Sequence, residues 1–308
     1  MKKTFYSNGK LLITGEYLVL DGAKAFALPT KFGQNLIVEK GSDKEFYWKS
    51  YDSDSSIWFE DTILFTEITA AEKTEADSIR ATLIKILREA YLLNSDYITE
   101  SNGYKITTQL SFSRNWGLGT SSTLINNIAQ WLEIDAFTLL NNSFGGSGYD
   151  IACAQNSTPI VYSIDHGQPV FQKVVFDPVF TSNIYFVYLN KKQSSKTAIA
   201  AYHRNKKNNL TETIAKIDRI TQEVLIASTV QSFAKAITKH ELEISAIIET
   251  PTVKDTLFPD FSGTVKSLGA WGGDFVMAVS EQNPTAYFKA KGYDIIIPYE
   301  EMILKLFL

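Results

Sequence analysis

Residues 115–124 read Asn-Trp-Gly-Leu-Gly-Thr-Ser-Ser-Thr-Leu. Two glycines and a run of hydroxyl side chains stand directly before a helical pattern, in which Leu124, Ile125, Ile128, Trp131 and Leu132 recur at one-turn spacing. Such a stretch offers a helix N-terminus to an anion. Glycine lets a ligand approach the backbone closely. The unpaired amides and the positive end of the helix dipole attract phosphate. Serine and threonine hydroxyls add hydrogen bonds or a metal ligand. A plain N-cap uses the same residue types, so the stretch by itself leaves both readings open. Two common nucleotide fingerprints do not fit. The dinucleotide pattern needs a third glycine where Ser122 stands, and the P-loop needs a lysine that does not follow Gly119.

Outward from this loop, the chain reads as a mixed α+β protein with a boundary near residues 165–180. Strands are expected within 3–40, with Asp21-Gly22 as a turn between Lys10–Leu20 and Gln34–Lys40. Residues 43–66 mix aromatic residues with Asp and Ser, as exposed hairpins do. A helix is expected over 75–93, where Ile79, Leu83, Ile86, Leu87 and Ala90 form one stripe. A strand over Tyr104–Leu110 leads to the glycine loop, and helices follow at 121–133 and 135–142. Further strands are read at Thr158–Ile164, Val170–Phe176 and Asn183–Leu189. Helices are read at 195–206, 210–228 and 230–248. A glycine turn and a strand fall within Lys266–Val279, a late strand at Asp294–Ile297 and a last helix over Glu300–Leu308.

The 308 residues suffice for one large or two ordinary domains. With 44% hydrophobic and 21% charged residues the composition is that of a globular protein. A net charge of −4 draws the chain to neither nucleic acid nor an anionic membrane, so any phosphorylated ligand needs a local positive field. The single cysteine, Cys153, allows no internal disulfide and no cysteine cluster for zinc, and fits a reducing cytoplasm. Lys2 and Lys3 are followed by no uninterrupted apolar core, which makes a poor signal peptide. No apolar run approaches membrane-spanning length. His166, His203 and His240 are scattered, without a His-Glu-x-x-His pattern, and read as surface or packing residues. Ser147 lacks the Gly-x-Ser-x-Gly elbow of a hydrolase.

Four glycine-bearing segments then ask for one explanation. They are Gly9-Lys10-Leu-Leu-Ile-Thr-Gly15-Glu16-Tyr17, the 117–122 loop, Ser147-Gly148-Tyr149-Asp150 and Gly269-Ala-Trp-Gly272-Gly273-Asp274. In order and spacing they resemble the motifs of the GHMP kinases, the superfamily of galactokinase and of homoserine, mevalonate and phosphomevalonate kinases. The first resembles that family's opening motif, continued by Leu-Val-Leu-Asp-Gly. Ser113 to Ser121 resembles its ATP loop, Pro-x-x-x-Gly-Leu-Gly-Ser-Ser. The third resembles its catalytic Ser-Gly-x-Asp, and the fourth its late Gly-Ala-Gly-x-Gly. The resemblance spans nearly the whole chain.

This likeness implies an α+β fold of two domains. Residues 1–165 would be an ATP-binding domain like ribosomal protein S5 domain 2, and residues 166–308 a ferredoxin-like C-terminal domain. It implies ATP bound on Gly117, Leu118, Gly119, Thr120, Ser121 and Ser122, with Mg2+ on Ser121. Lys10 and Asp150 are the implied catalytic pair. Lys10, Glu16, Ser147, Gly148, Tyr149, Lys196, Thr197, Gly272 and Gly273 are the implied contacts of a small-molecule acceptor. A cytoplasmic monomer or homodimer without nucleic-acid or membrane partners is expected. Gly15-Glu16-Tyr17, Asp150-Ile-Ala and Gly272-Gly-Asp lean towards phosphomevalonate kinase, with mevalonate, a sugar or homoserine as other acceptors. Glu16 is either a substrate contact or structural. Gln193-Ser-Ser-Lys196-Thr197 either meets a substrate phosphate or caps a helix.

The sequence departs from the family pattern in places. Asn8 stands for a usual proline, and Asn115 and Trp116 alter the start of the ATP loop. Trp271 takes the place of a small residue and is expected to narrow the pocket. Leu139 stands where mevalonate kinases carry a magnesium-binding glutamate. These departures suit a rival reading, a non-catalytic GHMP-fold regulator that binds nucleotide or metabolite. The intact Lys10 and Asp150 oppose it.

Overall fold

The computed structural model describes residues 2–70, 78–193, 195–206 and 210–305. The chain forms two compact units that are not consecutive halves. One comprises Met1–Gly9, Phe32–Arg114 and Leu118–Gln155, and the other Lys10–Lys31, Asn115–Gly117 and Asn156–Leu308. Strands β1 (Lys3–Thr14) and β2 (Ala25–Lys40) contribute residues to both.

In the first unit, β3 (Glu45–Tyr51) pairs antiparallel with β4 (Ile57–Leu64) and parallel with β5 (Tyr104–Leu110). β5 pairs antiparallel with β2 from Gln34↔Leu110 to Lys40↔Tyr104. Helices α1 (Phe65–Thr69), α2 (Ile79–Leu93), α3 (Asp96–Thr99), α4 (Thr120–Leu132), α5 (Ala136–Ser143) and α6 (Tyr149–Gln155) complete the unit. Its core joins Leu36, Phe46, Trp48 and Ile106 from strands to Leu83, Leu87, Ile125, Ile128 and Leu139 from helices.

Two expectations change here. The 43–66 segment is a hairpin, but Phe46 and Trp48 are fully buried while Tyr47 between them is exposed. Strand alternation sends every second aromatic into the core, so the hairpin is not an exposed one. In α2, Leu83, Ile86, Leu87 and Ala90 are buried, yet Ile79 is exposed because it is the helix's first residue. Ser78 Oγ accepts the Ala81 amide and caps the helix there. The expected start at 75–77 lies outside the described residues.

The second unit carries an antiparallel sheet in the order β11 (Ile296–Pro298), β8 (Ile184–Tyr188), β10 (Phe275–Val279), β9 (Thr264–Ser267). Residues Ala25–Ala27 of β2 pair with β6 (Ile160–Asp165), which pairs with β7 (Gln168–Lys173). Helices α7 (Ser195–Asn205), α8 (Thr211–Leu225) and α9 (Val230–Ile248) match the three long helices expected after β8, while the short α10 (Val253–Leu257) and α11 (Thr285–Ala290) are additions to that pattern and α12 (Tyr299–Met302) closes it. The last helix is shorter than read. Ile303 leaves it to bridge Thr30, and the Leu304 amide donates to the Pro29 carbonyl at 3.0 Å. Residues 306–308 lie outside the described residues. No helix among the described residues is long and apolar enough to cross a membrane.

Candidate active site

In the first unit, the glycine loop ends in α4 as the hydroxyl run predicts. Gly119 is the N-cap, in the left-handed region at φ 99°, and no side chain caps the helix. Its carbonyl accepts the Thr123 amide at 2.9 Å, Ser122 Oγ at 2.9 Å and Thr123 Oγ1 at 3.0 Å. The hydroxyls of Ser122 and Thr123 are thus turned inward to the turn, and Ser122 is buried. Ser121 is exposed and Thr120 half-buried, so these two hold the outward hydroxyls. The Leu118 side chain is fully buried, which leaves only its backbone for a ligand.

Helix α6 packs on α4, and Gln155 Nε2 donates to Asn126 Oδ1 at 3.1 Å. This brings the Ser147–Asp150 segment into the same unit as the loop. Gly145, Gly146 and Gly148 all have positive φ, at 79°, 109° and 86°. The chain needs these conformations to turn from α5 into α6. Asp150 lies in the first turn of α6, half-buried, and its Oδ1 accepts the Ile151 amide at 3.1 Å. Ser147 and Tyr149 are half-buried and Gly148 is buried.

Lys10, Gly117, Gly272 and Gly273 belong to the second unit. Lys10 Nζ donates to the Gly117 carbonyl at 3.1 Å. Gly117 has φ 68°, and a Cβ there would fall on the Asp274 carboxyl group. A Cβ on Gly273 would meet the Gln193 side chain and the Lys191 carbonyl. Gln193 Nε2 donates to the Trp271 carbonyl at 3.1 Å. Gly272 and Gly273 therefore serve close packing against Lys191 and Gln193. Lys196 and Thr197 fall in the first turns of α7, but their side chains lie outside the described residues.

Three departures acquire reasons. Trp271 does not narrow a pocket. It is buried in an apolar cluster with Tyr17, Leu18, Ala23, Tyr202, Ile217 and Ile244, and its amide donates to Tyr17 Oη at 3.3 Å. Trp116 stands edge-on to Phe275, with ring centroids 5.5 Å apart, and near Tyr188. Tyr188 Oη donates to the Asn115 carbonyl at 3.2 Å. The altered start of the loop is thus anchored by aromatic packing.

Glu16 is 1% exposed and is no surface contact. It pairs with the fully buried Lys266, which also donates to the Ser267 carbonyl at 2.7 Å and lies 3.8 Å from Glu241. Burial pushes the Glu16 carboxyl up to about 7 against the pull of Lys266. His240, read as a surface or packing residue, accepts the Gly15 amide on Nε2 at 2.9 Å. Burial and the Lys266 charge hold it well below the usual histidine range, so it is the neutral imidazole. Lys266 and Glu241 are not marked by any motif, because Glu241 stands between His240 and a helix face that also carries Lys239 and Glu243, and nothing local tells a buried charge from an exposed one. The one available signal is Lys266 itself, a lysine between Val265 and Leu268 just before the late glycine turn. Lys is almost never fully buried unless paired, so it called for a buried carboxylate elsewhere.

No protein-family model and no curated protein matches the sequence. Solved structures do match over nearly the whole chain. The chain is similar to a mevalonate kinase of Methanococcus jannaschii at TM-score 0.72 and 17% identity, with 99% of each chain covered. It is similar to a phosphomevalonate kinase of Streptococcus pneumoniae, in complex with phosphomevalonate and AMPPNP, at TM-score 0.69 and 14% identity, covering 99% of this chain and 98% of that one. A galactokinase of Lactococcus lactis, complexed with galactose, matches at TM-score 0.67 and 13% identity over 94% of this chain and 88% of that one. The chain has the α+β, two-domain GHMP kinase fold.

Proposed function

We propose that the chain is an ATP-dependent small-molecule kinase whose acceptor is phosphomevalonate or mevalonate, in isoprenoid precursor synthesis. The observation that carries this reading is the α4 N-terminus. A thirteen-residue helix begins at a left-handed glycine with no side-chain cap and outward Thr120 and Ser121 hydroxyls. That arrangement suits the phosphates of a nucleotide, and the fold is one that carries nucleotide in the phosphomevalonate kinase complex. The functional division into an ATP-binding 1–165 and a C-terminal 166–308 is part of the same proposal. So is a cytoplasmic monomer or homodimer.

In this reading the amides at the start of α4 bind the ATP phosphates. Asp150 takes the proton of an alcohol acceptor or, with a phosphorylated one, chiefly orients it. Lys10 stabilises the charge spreading over the transferred group. Mg2+ fits at the exposed Ser121 hydroxyl, since this ion needs few protein ligands once phosphates and waters supply the rest. Held there, the ion would supply charge neutralisation for the nucleotide's phosphates. Ser147, Gly148 and Tyr149 line the acceptor side of the first unit. Lys196 and Thr197 remain candidates for an acceptor phosphate.

The deciding experiment is ADP release from Mg-ATP with mevalonate, 5-phosphomevalonate, galactose and homoserine side by side. Phosphomevalonate is expected to turn over fastest. A preference for the unphosphorylated alcohol discards the phosphomevalonate assignment. Tight nucleotide binding without turnover of any acceptor favours the regulator reading instead.

Gly119→Val tests the loop itself. A β-branched residue is strained at φ 99°, and its bulk blocks approach to the amides. Loss of two charge-assisted hydrogen bonds, at about 1.5 kcal/mol each, lowers ATP affinity about 10²-fold. Isothermal calorimetry reads this directly, and unchanged affinity puts the phosphates elsewhere.

A further inference from the structure

Asp274 closes the late glycine motif, and its surroundings define a task that a neutral residue does not meet. Its backbone sits at φ 51°, a conformation that Asp and Asn tolerate better than most residues. The neighbouring segment holds it on both sides. The Asp274 amide donates to the Lys191 carbonyl at 2.6 Å, and its carbonyl accepts the Leu189 amide at 2.8 Å. Oδ1 accepts the Gln193 amide at 3.2 Å. The rest of the carboxylate packs against the α-carbon of Gly117, which is why a side chain is not tolerated there. Lys10 Nζ reaches the carbonyl of that same Gly117 at 3.1 Å.

All of the packing and hydrogen-bonding duties could be met by asparagine. It has the same shape, accepts the Gln193 amide equally well and adopts positive φ as readily. A carboxylate is the costlier choice, because only 8% of Asp274 is exposed and burial raises its pKa. The charge must therefore act on something. The cations that act on it are Lys10 and Lys192, and both pull its pKa back down. Lys192 is exposed, whereas Lys10 is half-buried.

We propose that Asp274 is a positioning residue, whose carboxylate, locked by the 189–193 segment, holds the Lys10 ammonium in place beside Gly117. This rests on the kinase reading, in which Lys10 acts on the transferred phosphoryl group. A lysine is a compact charge on a long, flexible stem. Fixing it before the reaction removes an ordering cost from the transition state. Gly117 is then the spacer that lets the carboxylate and the ammonium both reach the same residue. The late motif and the first motif are thereby parts of one device, and the Gly-Gly-Asp ending has a purpose beyond a turn.

The test is a double-mutant cycle of Asp274→Asn and Lys10→Met on the full chain. Steady-state kinetics, melting temperature and a carboxyl-carbon NMR titration of Asp274 are read together. Asp274→Asn is expected to lower kcat about tenfold with little change in KM for ATP. Its melting temperature should hold or rise, since a buried charge is removed. In the Lys10→Met background the same change should have almost no further effect on kcat. Lys10→Met alone should raise the Asp274 pKa. An equal kcat loss in both backgrounds overturns the proposal, as does a lowered melting temperature with normal kcat. A wild-type protein that turns over no acceptor fails the kinase reading and removes the catalytic use of the pair. The NMR titration then still reports whether the two charges are coupled. An Asp274 pKa indifferent to Lys10 overturns the pairing whatever the kinetics show.

Discussion

Asp150→Asn is expected to lower kcat by about 10²–10⁴ and to leave ATP affinity nearly unchanged. The substitution is close to isosteric. Asn retains the oxygen that accepts the Ile151 amide at 3.1 Å, so the first turn of α6 keeps its local bond. It loses only basicity and charge. The size of the effect carries further information. An alcohol acceptor must lose its proton as it attacks, so a base in contact with it contributes the full range. A phosphorylated acceptor is already anionic near neutral pH and scarcely needs one. With phosphomevalonate the loss should fall at the lower end, and with mevalonate at the upper. Measuring kcat with both acceptors, beside calorimetric ATP affinity, separates base from orienting group. A variant that keeps most of the wild-type rate with either acceptor rules out both roles.

The elements that were legible in the sequence are those whose signal is local. β5 matches its expected span of Tyr104–Leu110, because it alternates cleanly and ends at a turn. α4 begins at Thr120, one residue before its expected start, since Gly119 marks the cap. The motif residues Lys10, Gly117, Gly119 and Asp150 could be named for the same reason, as spacing and residue type are written along the chain. What could not be read is long-range. The burial of Phe46 and Trp48 depends on which face of the hairpin meets α2, α4 and α5. The partner of Lys266 lies 250 residues away at Glu16. Trp271 looked like an obstruction in its motif because its apolar neighbours come from segments near residues 17–23, 202, 217 and 244. Even at Gly117, whose motif points to a nucleotide, the nearest demand for a missing side chain is the carboxylate of Asp274.

Lys266→Met is the substitution expected to cost the most stability. Lys266 is fully buried and is the cation that Glu16 and Glu241 share, at 1% and 2% exposure. Glu241 is further held by the Ser267 amide at 3.1 Å and hydroxyl at 2.8 Å, while Glu16 relies on Lys266. Removing one partner of a buried ion pair costs about 3–5 kcal/mol, because the other charge is left uncompensated. In a protein of 308 residues that is a fall in melting temperature of roughly 5–8 °C. The pH dependence identifies the carboxylate. In the folded chain Glu16 ionises at about 7, against 4.5 for the free side chain. The folded state thus holds that proton more tightly than the unfolded state. Its contribution to stability is fullest below about pH 4.5 and is lost as pH rises through about 7, by about 3 kcal/mol in all. In Lys266→Met the lysine no longer opposes the burial effect, so Glu16 moves higher still. The variant's melting temperature should then keep falling above pH 7, where the wild type has levelled off. Adding Glu16→Gln should flatten that alkaline fall and recover part of the lost stability. If Glu16 were instead a contact of the acceptor, Lys266→Met would raise KM at unchanged melting temperature, and the pH series would show no such crossover.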